Sequence, residues 1–305
     1  MTEILVSEVG PRDGLQSIDR VMPLEAKKAW IAAEAAAGVR EIEVGSFVPP
    51  SLLPQMADTA ELVAFARTIP GLNVVALVPN AKGAAHAVEA GVHAMSIPFS
   101  MSETHSLRNV RKDHPAMLAE IAEVAQIAQV AGVHFAVGLS TAFGCTIEGA
   151  VNEEQVVRLA AAAAEAGAQE FSLSDTTGYA DPAQVKRLIR KVRGAVGDKL
   201  TTLHLHNTRG LGLANALAGL EEGITTLDAS LGGLGGCPYA PGASGNLVTE
   251  DLVLMLNSMG LTTGIDLGRL LEVRKILADA LPGEPLYGFT PDAGPMLDYN
   301  ERLAR

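Results

Sequence analysis

A motif that ends helices recurs five times along this chain of 305 residues. Each copy joins a run rich in Ala and Glu to an apolar run, and its third residue is glycine. Glycine is favoured directly after a helix because it adopts the left-handed C-cap conformation without strain. Five equivalent turns predict one repeating architecture instead of two unrelated domains. The copies are AAGV (36–39), EAGV (89–92), VAGV (130–133), EAGA (165–168) and EEGI (221–224).

Short runs rich in Val, Ile, Leu and Thr alternate with longer amphipathic runs rich in Ala, Glu, Leu and Arg. Eight such βα units in about 260 residues have the size of a TIM barrel. We therefore predict an α/β fold, a (β/α)8 TIM barrel, with a doubly wound open sheet as the alternative. The predicted strands are 4–9, 41–47, 73–78, 94–98, 134–140, 170–174, 202–206 and 225–231. The predicted helices are 23–37, 58–69, 81–90, 115–131, 152–166, 181–196, 211–222 and 247–259.

The end of the chain departs from the repeat. We assign residues 1–263 to a TIM-barrel catalytic domain and residues 264–305 to a C-terminal extension. The extension is predicted to hold a helix over 266–281 and an irregular segment rich in Pro and Gly. We expect it to pack on the barrel, over its mouth or at a subunit contact.

Composition limits the class of protein. Hydrophobic residues make up 48% of the chain and charged residues 19%, which supports a large core. The net charge of -12 argues against nucleic acid or an anionic membrane as a partner. The two cysteines give no disulfide framework, the N-terminus does not resemble a signal peptide, and no run approaches the ~20 apolar residues of a membrane span. We therefore expect a cytoplasmic protein that uses neither nucleic acid nor membrane.

Polar residues follow the first predicted strand, at the barrel end where active sites lie. Arg12 and Asp13 offer a cation for an anionic intermediate beside a carboxylate for a metal, although a structural ion pair is the alternative. Glu43 lies in the apolar run 41–47, where the alternation of side chains places it on the opposite face of the strand from Ile42. A buried carboxylate needs a partner, and Arg12 on the neighbouring strand end is the expected one.

Strand 202–206 carries two histidines. His204 and His206 are two residues apart, so their side chains point to the same face of the strand. Two imidazoles on one face, with Asp13 across the barrel, are typical of a divalent-metal site. Mg²⁺, Mn²⁺ and Zn²⁺ all suit these ligands.

Two further segments add candidate site residues. Asp175 directly follows the sixth predicted strand, where it is a candidate base or a partner of a metal-bound histidine. A turn or N-cap residue is the alternative for Asp175. The segment 100–112 mixes hydroxyls with cations, and we interpret most of it as a solvated loop.

The segment 232–246 is rich in glycine and contains Cys237 before ending at Asn246. Glycine at this density lets the backbone bend sharply and approach a ligand closely. A loop of this kind that carries a thiol is interpreted as an active-site lid, with a glycine-rich linker as the alternative.

These motifs together resemble the 3-hydroxy-3-methylglutaryl-CoA (HMG-CoA) lyase family. That family belongs to a group of TIM-barrel metallolyases that also includes isopropylmalate and citramalate synthases. The resemblance runs from about residue 4 to about residue 271. It rests on GPRDGLQ at 10–16, SFV at 46–48 with PQM at 54–56, and GGLGGCPYA at 232–240, which continues as GASGN at 242–246.

The resemblance implies roles for the motif residues. Arg12, Cys237, Glu43 and Asp175 would be catalytic, with Arg12 stabilising an enolate and Cys237 acting in proton transfer. The divalent metal would be held by Asp13, His204, His206 and Asn246, the last as a ligand or near neighbour. Substrate binding is assigned to Arg12, Gln16, Ser46, Ser140 and Arg209.

Two places depart from the family pattern. Well-studied members have Arg and Tyr where this chain has Ala136 and Gly138, so a cation and a phenol are missing. Arg209 is an additional cation in a segment where the family usually has Asp-Thr-Tyr-Gly. These changes leave the chemistry intact and affect the choice of substrate.

The leading hypothesis is a carbon–carbon lyase that uses Mg²⁺ or Mn²⁺, with Zn²⁺ as a further option. It would cleave HMG-CoA, an acyl-CoA, to acetyl-CoA and acetoacetate. The alternatives are a lyase for citramalyl-CoA or another 3-hydroxyacyl-CoA, a synthase that condenses acetyl-CoA with a 2-oxo acid, and a non-catalytic barrel with a structural metal. From family habit we expect a homodimer or higher homo-oligomer.

Overall fold

The eight predicted strand regions form a closed barrel in which every strand is parallel to its neighbours and β1 pairs with β8. The structure is a computed structural model that describes residues 3–235 and 245–299. The predicted TIM barrel is confirmed, and the alternative of an open sheet is wrong because the first and last strands are hydrogen-bonded. The strands are β1 (Leu5–Glu8), β2 (Glu41–Ser46), β3 (Asn73–Leu77), β4 (Ala94–Ser100), β5 (His134–Ser140), β6 (Glu170–Asp175), β7 (Leu200–Leu205) and β8 (Thr226–Ala229).

Each strand is followed by at least one helix. The helix α4 lies within the segment 100–112, which we interpreted as a loop; Ser102 begins it by accepting the N–H of His105 on its hydroxyl oxygen at 3.2 Å. The described helices are α1 (Leu24–Ala36), α2 (Thr59–Ala66), α3 (Ala81–Ala90), α4 (Glu103–Asn109), α5 (His114–Ala131), α6 (Glu153–Glu165), α7 (Pro182–Val196), α8 (Gly212–Glu221), α9 (Thr249–Ser258), α10 (Leu267–Ala280) and α11 (Thr290–Ala293).

The repeated glycines have the conformation that the motif predicts. All five have φ between 67° and 108°, a region that side chains with a Cβ rarely adopt. Each glycine therefore reverses the chain after a helix and starts the next strand. The glycines are Gly38, Gly91, Gly132, Gly167 and Gly223.

Along a strand, side chains that are fully buried against the helices alternate with side chains that are partly exposed in the barrel interior. On β5, Phe135, Val137 and Leu139 are fully buried, whereas the intervening Ala136 and Gly138 are partly exposed. The core therefore lies mainly between the strands and the surrounding helices, and small side chains leave room inside the barrel.

The predicted helix over 266–281 is α10, which packs against α1 and α9. Leu270 and Leu277 are buried in this contact, and the N–H of Asp266 donates to the carbonyl of Ala37 at 2.8 Å. The division of the chain at residue 263 stays a prediction. Within the described residues, no helix combines the length and apolar character needed to cross a membrane.

Candidate active site

A tight turn after β1 places two charged side chains at the carboxyl end of the barrel. Residues Gly10–Gly14 form one π-helical turn, and the N–H of Asp13 donates to the carbonyl of Val9 at 2.7 Å. The turn lies directly over Trp30 of α1, because a Cβ built on Gly10 would be 2.8 Å from the indole ring. Glycine at this position lets the turn pack closely against α1.

Arg12 is held by two carboxylates. Its Nε donates to Glu43 and its Nη1 donates to Asp13, and all three side chains are almost fully buried. The second oxygen of Glu43 accepts the hydroxyl of Ser96 at 2.8 Å. Burial opposes the charge, but Glu43 and Asp13 outweigh it and raise the pKa of Arg12. The guanidinium is therefore a fixed, permanent cation.

Asp13, His204 and His206 converge on one point. The Nε2 atoms of the two histidines lie 3.2 Å apart, and Asp13 Oδ2 lies 3.9 Å from the first and 3.8 Å from the second. His204 comes from β7 and His206 follows it, so the two-residue spacing does bring both rings to one face. The structure thus gathers one carboxylate and two imidazoles at the barrel end.

The protonation of this cluster follows from its neighbours. Burial opposes ionisation of Asp13, but Arg12 and the histidines outweigh it and hold the pKa of Asp13 well below its ordinary value. Burial, together with His204, lowers the pKa of His206 to about 4. Asp13 is therefore an anion and His206 is neutral at physiological pH.

The donor set fits a divalent cation. His204 Nδ1 lies 3.0 Å from Asp228 Oδ2, which favours a proton on Nδ1 and leaves the lone pair of Nε2 facing His206 and Asp13. His206 Nδ1 is buried and has no hydrogen-bond partner among the described residues. A carboxylate behind a histidine is a common support for metal-bound imidazole. Burial opposes a proton on His204, but Asp228 and Asp13 outweigh burial and raise the pKa of His204, so a cation bound here would compete with a proton on that ring. Two imidazole nitrogens and one carboxylate oxygen are ligands that Mg²⁺, Mn²⁺ or Zn²⁺ accept.

Two amides surround Asp13. Asn246 Nδ2 donates to Asp13 Oδ2 at 2.8 Å and lies 3.3 Å from the carbonyl of Leu234. Gln16 Nε2 donates to Asp13 Oδ1 at 3.0 Å. Asn246 therefore lies directly beside Asp13, and its role as a metal ligand or a near neighbour stays a prediction.

Asp175 ends β6 and is buried. Its two oxygens accept the N–H groups of Tyr179 at 2.8 Å and Ala180 at 3.1 Å, so it organises the turn that follows the strand. Burial raises the pKa of Asp175 to about 6, although these bonds and Arg209 oppose the rise. The alternative of a turn residue thus describes its contacts, and its catalytic role stays a prediction.

The remaining predicted residues make other contacts or lie outside the described part of the chain. Ser46 ends β2, where it is buried and its N–H donates to Thr59 Oγ1 at 3.1 Å. Ser140 ends β5 and is partly exposed. Arg209 is exposed, donates to the carbonyls of residues 177 and 178 at 2.9 Å, and lies 4.4 Å from the centre of the Tyr179 ring. Cys237 lies outside the described residues.

Comparison with known proteins decides the family. The family model described as HMGL-like matches residues 3–277. The chain belongs to the HMGL-like family. It is 40% identical to hydroxymethylglutaryl-CoA lyase YngG of Bacillus subtilis, with 93% of this chain and 95% of the relative covered. It is 39% identical to (R)-citramalyl-CoA lyase of Chloroflexus aurantiacus, with 97% and 96% covered.

A solved structure supports the same assignment. The chain superimposes with a TM-score of 0.90 on an HMG-CoA lyase from Acinetobacter baumannii, determined in complex with coenzyme A and 3-methylmalate. The two are 40% identical, and the match covers 97% of this chain and 96% of that one. The relatives are carbon–carbon lyases, in agreement with the resemblance found in the motifs.

In this HMGL-like chain, the sequence interpretation missed two carboxylates. Asp228 lies on β8 directly opposite His204 on β7, which explains its contact with the imidazole. Glu8 ends β1 and is fully buried, and its Oε1 accepts the N–H of Gly10 at 2.8 Å and of Leu231 at 2.9 Å. Each of these residues is an isolated acid within an apolar strand run, and this pattern was the signal that could have identified them.

Glu8 supplies a testable effect of pH on stability. Burial raises the pKa of Glu8 from 4.5 to about 7, and bonds from Thr249, Leu231 and Gly10 offset it only in part. Between pH 4.5 and 7 the native state therefore holds a proton that the unfolded chain releases, so Glu8 makes native stability fall as pH rises. Glu8→Gln keeps an acceptor without the charge. Relative to wild type, we expect its free energy of unfolding to increase by about 3 kcal/mol across this range.

Urea unfolding of both proteins at several pH values measures this difference. The stability of Asp175→Asn, measured at the same pH values, is a useful comparison. This variant also removes a carboxyl group with a raised pKa, but from another strand. A difference between wild type and Glu8→Gln that stays constant with pH would show that the pKa of Glu8 is not raised in the native state.

Proposed function

We propose that this protein catalyses the divalent-metal-dependent cleavage of HMG-CoA to acetyl-CoA and acetoacetate. The observation that carries the proposal is the position of a fixed cation, Arg12, directly beside the Asp13–His204–His206 cluster. A retro-Claisen cleavage needs both features, because a hydroxyl must lose its proton while negative charge develops on a thioester oxygen. Family membership and the lyase relatives support the same reaction.

The metal would be held by Asp13, His204 and His206, with Asn246 beside them. A divalent cation bound there lowers the pKa of the substrate hydroxyl and polarises the forming ketone. Asp228 keeps His204 in the tautomer that offers Nε2 to the site. We propose Mg²⁺ or Mn²⁺ as the cation, with Zn²⁺ as a further option.

Arg12 would stabilise the thioester enolate that leaves as acetyl-CoA. Glu43 and Asp13 hold the guanidinium in place before substrate binds, so little reorganisation is needed as charge develops. Bonds from Nε and Nη1 occupy one part of the guanidinium fork and leave Nη2 for the substrate oxygen. Gln16, Ser46, Ser140 and Arg209 complete the proposed substrate contacts.

Two proton transfers remain. We assign removal of the hydroxyl proton to Asp175, because its raised pKa of about 6 suits a base near neutral pH. We assign protonation of the enolate to Cys237, since a thiol is a suitable donor. The enolate carbon gains this proton and leaves as the methyl group of acetyl-CoA, so the hydroxyl proton balances the new C–H bond.

A citramalyl-CoA is the second candidate substrate. The interior of β5 presents Ala136 and Gly138, which are partly exposed and bring neither charge nor hydroxyl. A Cβ built on Gly138 would lie 3.4 Å from Ser172 Oγ, so the neighbouring space is lined by hydroxyls. Sequence identity does not separate the two candidates, because the (R)-citramalyl-CoA lyase is about as similar to this chain as the HMG-CoA lyase is. A synthase that condenses acetyl-CoA with a 2-oxo acid remains the less favoured alternative.

A coupled assay of acetyl-CoA release tests the proposal. Purified protein with Mg²⁺ or Mn²⁺ is offered HMG-CoA and, separately, both enantiomers of citramalyl-CoA. We expect rapid cleavage of HMG-CoA that is abolished by a chelator and by Cys237→Ala. Turnover of a citramalyl-CoA alone would keep the mechanism and change the substrate. No turnover of any of these compounds would contradict the proposed function.

Localisation, assembly and domain organisation also belong to the proposal. We propose a cytoplasmic enzyme that acts on an acyl-CoA as a homodimer or higher homo-oligomer. We further propose that residues 1–263 are the catalytic domain and that residues 264–305 are an extension of it.

A further inference from the structure

A closed ring of hydrogen bonds joins the C-terminal extension to the segment that follows β8. The N–H of Gly232 donates to both oxygens of Glu250, at 3.0 and 3.2 Å. Arg274 Nη1 donates to Glu250 Oε1 at 2.9 Å and to the carbonyl of Tyr287 at 2.7 Å. The N–H of Tyr287 donates to the carbonyl of Gly232 at 2.7 Å and closes the loop. We call these four residues the Gly232 ring.

The Gly232 ring fixes a position that needs glycine. Gly232 has φ of 65° and ψ of 12°, and a Cβ there would lie 3.2 Å from Arg274 Nη1. Both the N–H and the carbonyl of Gly232 are used by the ring. Residue 232 is therefore held from two sides by groups on α9 and beyond α10.

Arg274 supplies the charge on which the ring depends. Glu250 is fully buried, and burial raises its pKa even though Gly232 and Arg274 lower it. Two further buried carboxyls, Glu8 and Glu34, lie within its electrostatic reach. Removing the guanidinium would leave Glu250 as an uncompensated buried acid, which is strongly unfavourable.

The segment held by the ring contacts the metal-ligand turn. The neighbouring Leu231 shares Glu8 with Gly10, the first residue of the turn that carries Arg12 and Asp13. A Cβ on Gly235 would be 2.9 Å from Gly14 Cα, so the two backbones are in close contact. A shift of residues 231–235 would therefore displace the turn on which Asp13 lies.

We propose that Arg274 is a positioning residue for the active site, acting through the Gly232 ring on the Arg12–Asp13 turn. This inference rests on the proposed function for its kinetic readout. It gives the C-terminal extension a part in catalysis, although Arg274 touches neither the metal ligands nor Arg12 among its described contacts.

Arg274→Ala tests the proposal, with Arg269→Ala as the matched control on the same helix. Arg269 is 70% exposed, whereas Arg274 is 19% exposed. For Arg274→Ala we expect kcat to fall by about tenfold or more with a smaller change in KM. We also expect faster amide exchange in a peptide spanning 228–235 and weaker Mn²⁺ binding, which is measured without substrate. Arg269→Ala should match wild type in all three measurements.

Arg274→Lys separates positioning from folding. It keeps the charge, so it should fold and recover part of the kcat and the exchange protection lost in the alanine variant. Wild-type kcat and Mn²⁺ affinity in Arg274→Ala, at a temperature where it is folded, would overturn the proposal. If Arg274→Ala does not fold, Arg274→Met takes its place, and wild-type kcat, amide exchange and Mn²⁺ affinity in Arg274→Met would overturn the proposal. Failure of wild type to cleave any acyl-CoA would refute the proposed function, while exchange and Mn²⁺ binding still decide the role of Arg274.

Discussion

An Arg12→Lys variant is expected to lose about 10²- to 10³-fold in kcat, the size of effect seen when a preorganised donor to a developing oxyanion is removed. Lysine keeps the positive charge but not the planar fork that Glu43 and Asp13 hold in place. Its ammonium cannot contact both carboxylates and the substrate oxygen with the same geometry. Steady-state kinetics with the substrate identified by the coupled assay measures the loss, which should appear mainly in kcat.

Arg209→Lys is the matched control for Arg12→Lys. Arg209 is exposed and contacts the loop after β6, so its replacement by lysine should affect KM more than kcat. Equal losses of kcat in the two variants would contradict a special electrostatic role for Arg12.

An Asp13→Asn variant is expected to lose metal binding and, with it, activity. The amide has the same shape as the carboxylate but removes the one formal negative charge from the three-residue cluster. It also leaves Arg12 without one of its two ion pairs. We expect the affinity for Mn²⁺ to fall about 10³-fold. This exceeds the loss of about 10- to 100-fold that is usual when a residue supporting a metal ligand is replaced.

Mn²⁺ titration followed by electron paramagnetic resonance measures this affinity directly. Asp228→Asn is the comparison, because Asp228 supports His204 from behind the site and should weaken binding by only about 10- to 100-fold. An Asp13→Asn protein that binds Mn²⁺ as tightly as wild type would remove Asp13 from the ligand set.

Local sequence patterns were sufficient for the fold. Glycine after each helix and apolar runs of regular spacing are consequences of backbone geometry, which the chain expresses residue by residue. The same logic placed His204 and His206 on one face, since side chains alternate along a strand. It also brought Glu43 to Arg12, because neighbouring parallel strands end at the same edge of the barrel.

Contacts that depend on strand register and on distant segments were not predictable in this way. Asp228 meets His204 only because β7 and β8 align at that pair. Arg274 meets Glu250 and Tyr287 across a helix contact that no local pattern encodes. The helix α4 was missed because it is only seven residues long and mostly polar, and only the Ser102 cap signals its start.

The position of Trp30 gives the protein a built-in optical probe. Trp30 is the chain's single tryptophan, it is fully buried, and its indole packs against Gly10 of the turn that carries Arg12. Its emission wavelength reports the polarity around the ring, without contributions from other indoles. Ligand binding and variants that disturb the turn can therefore be followed by intrinsic fluorescence in unlabelled protein.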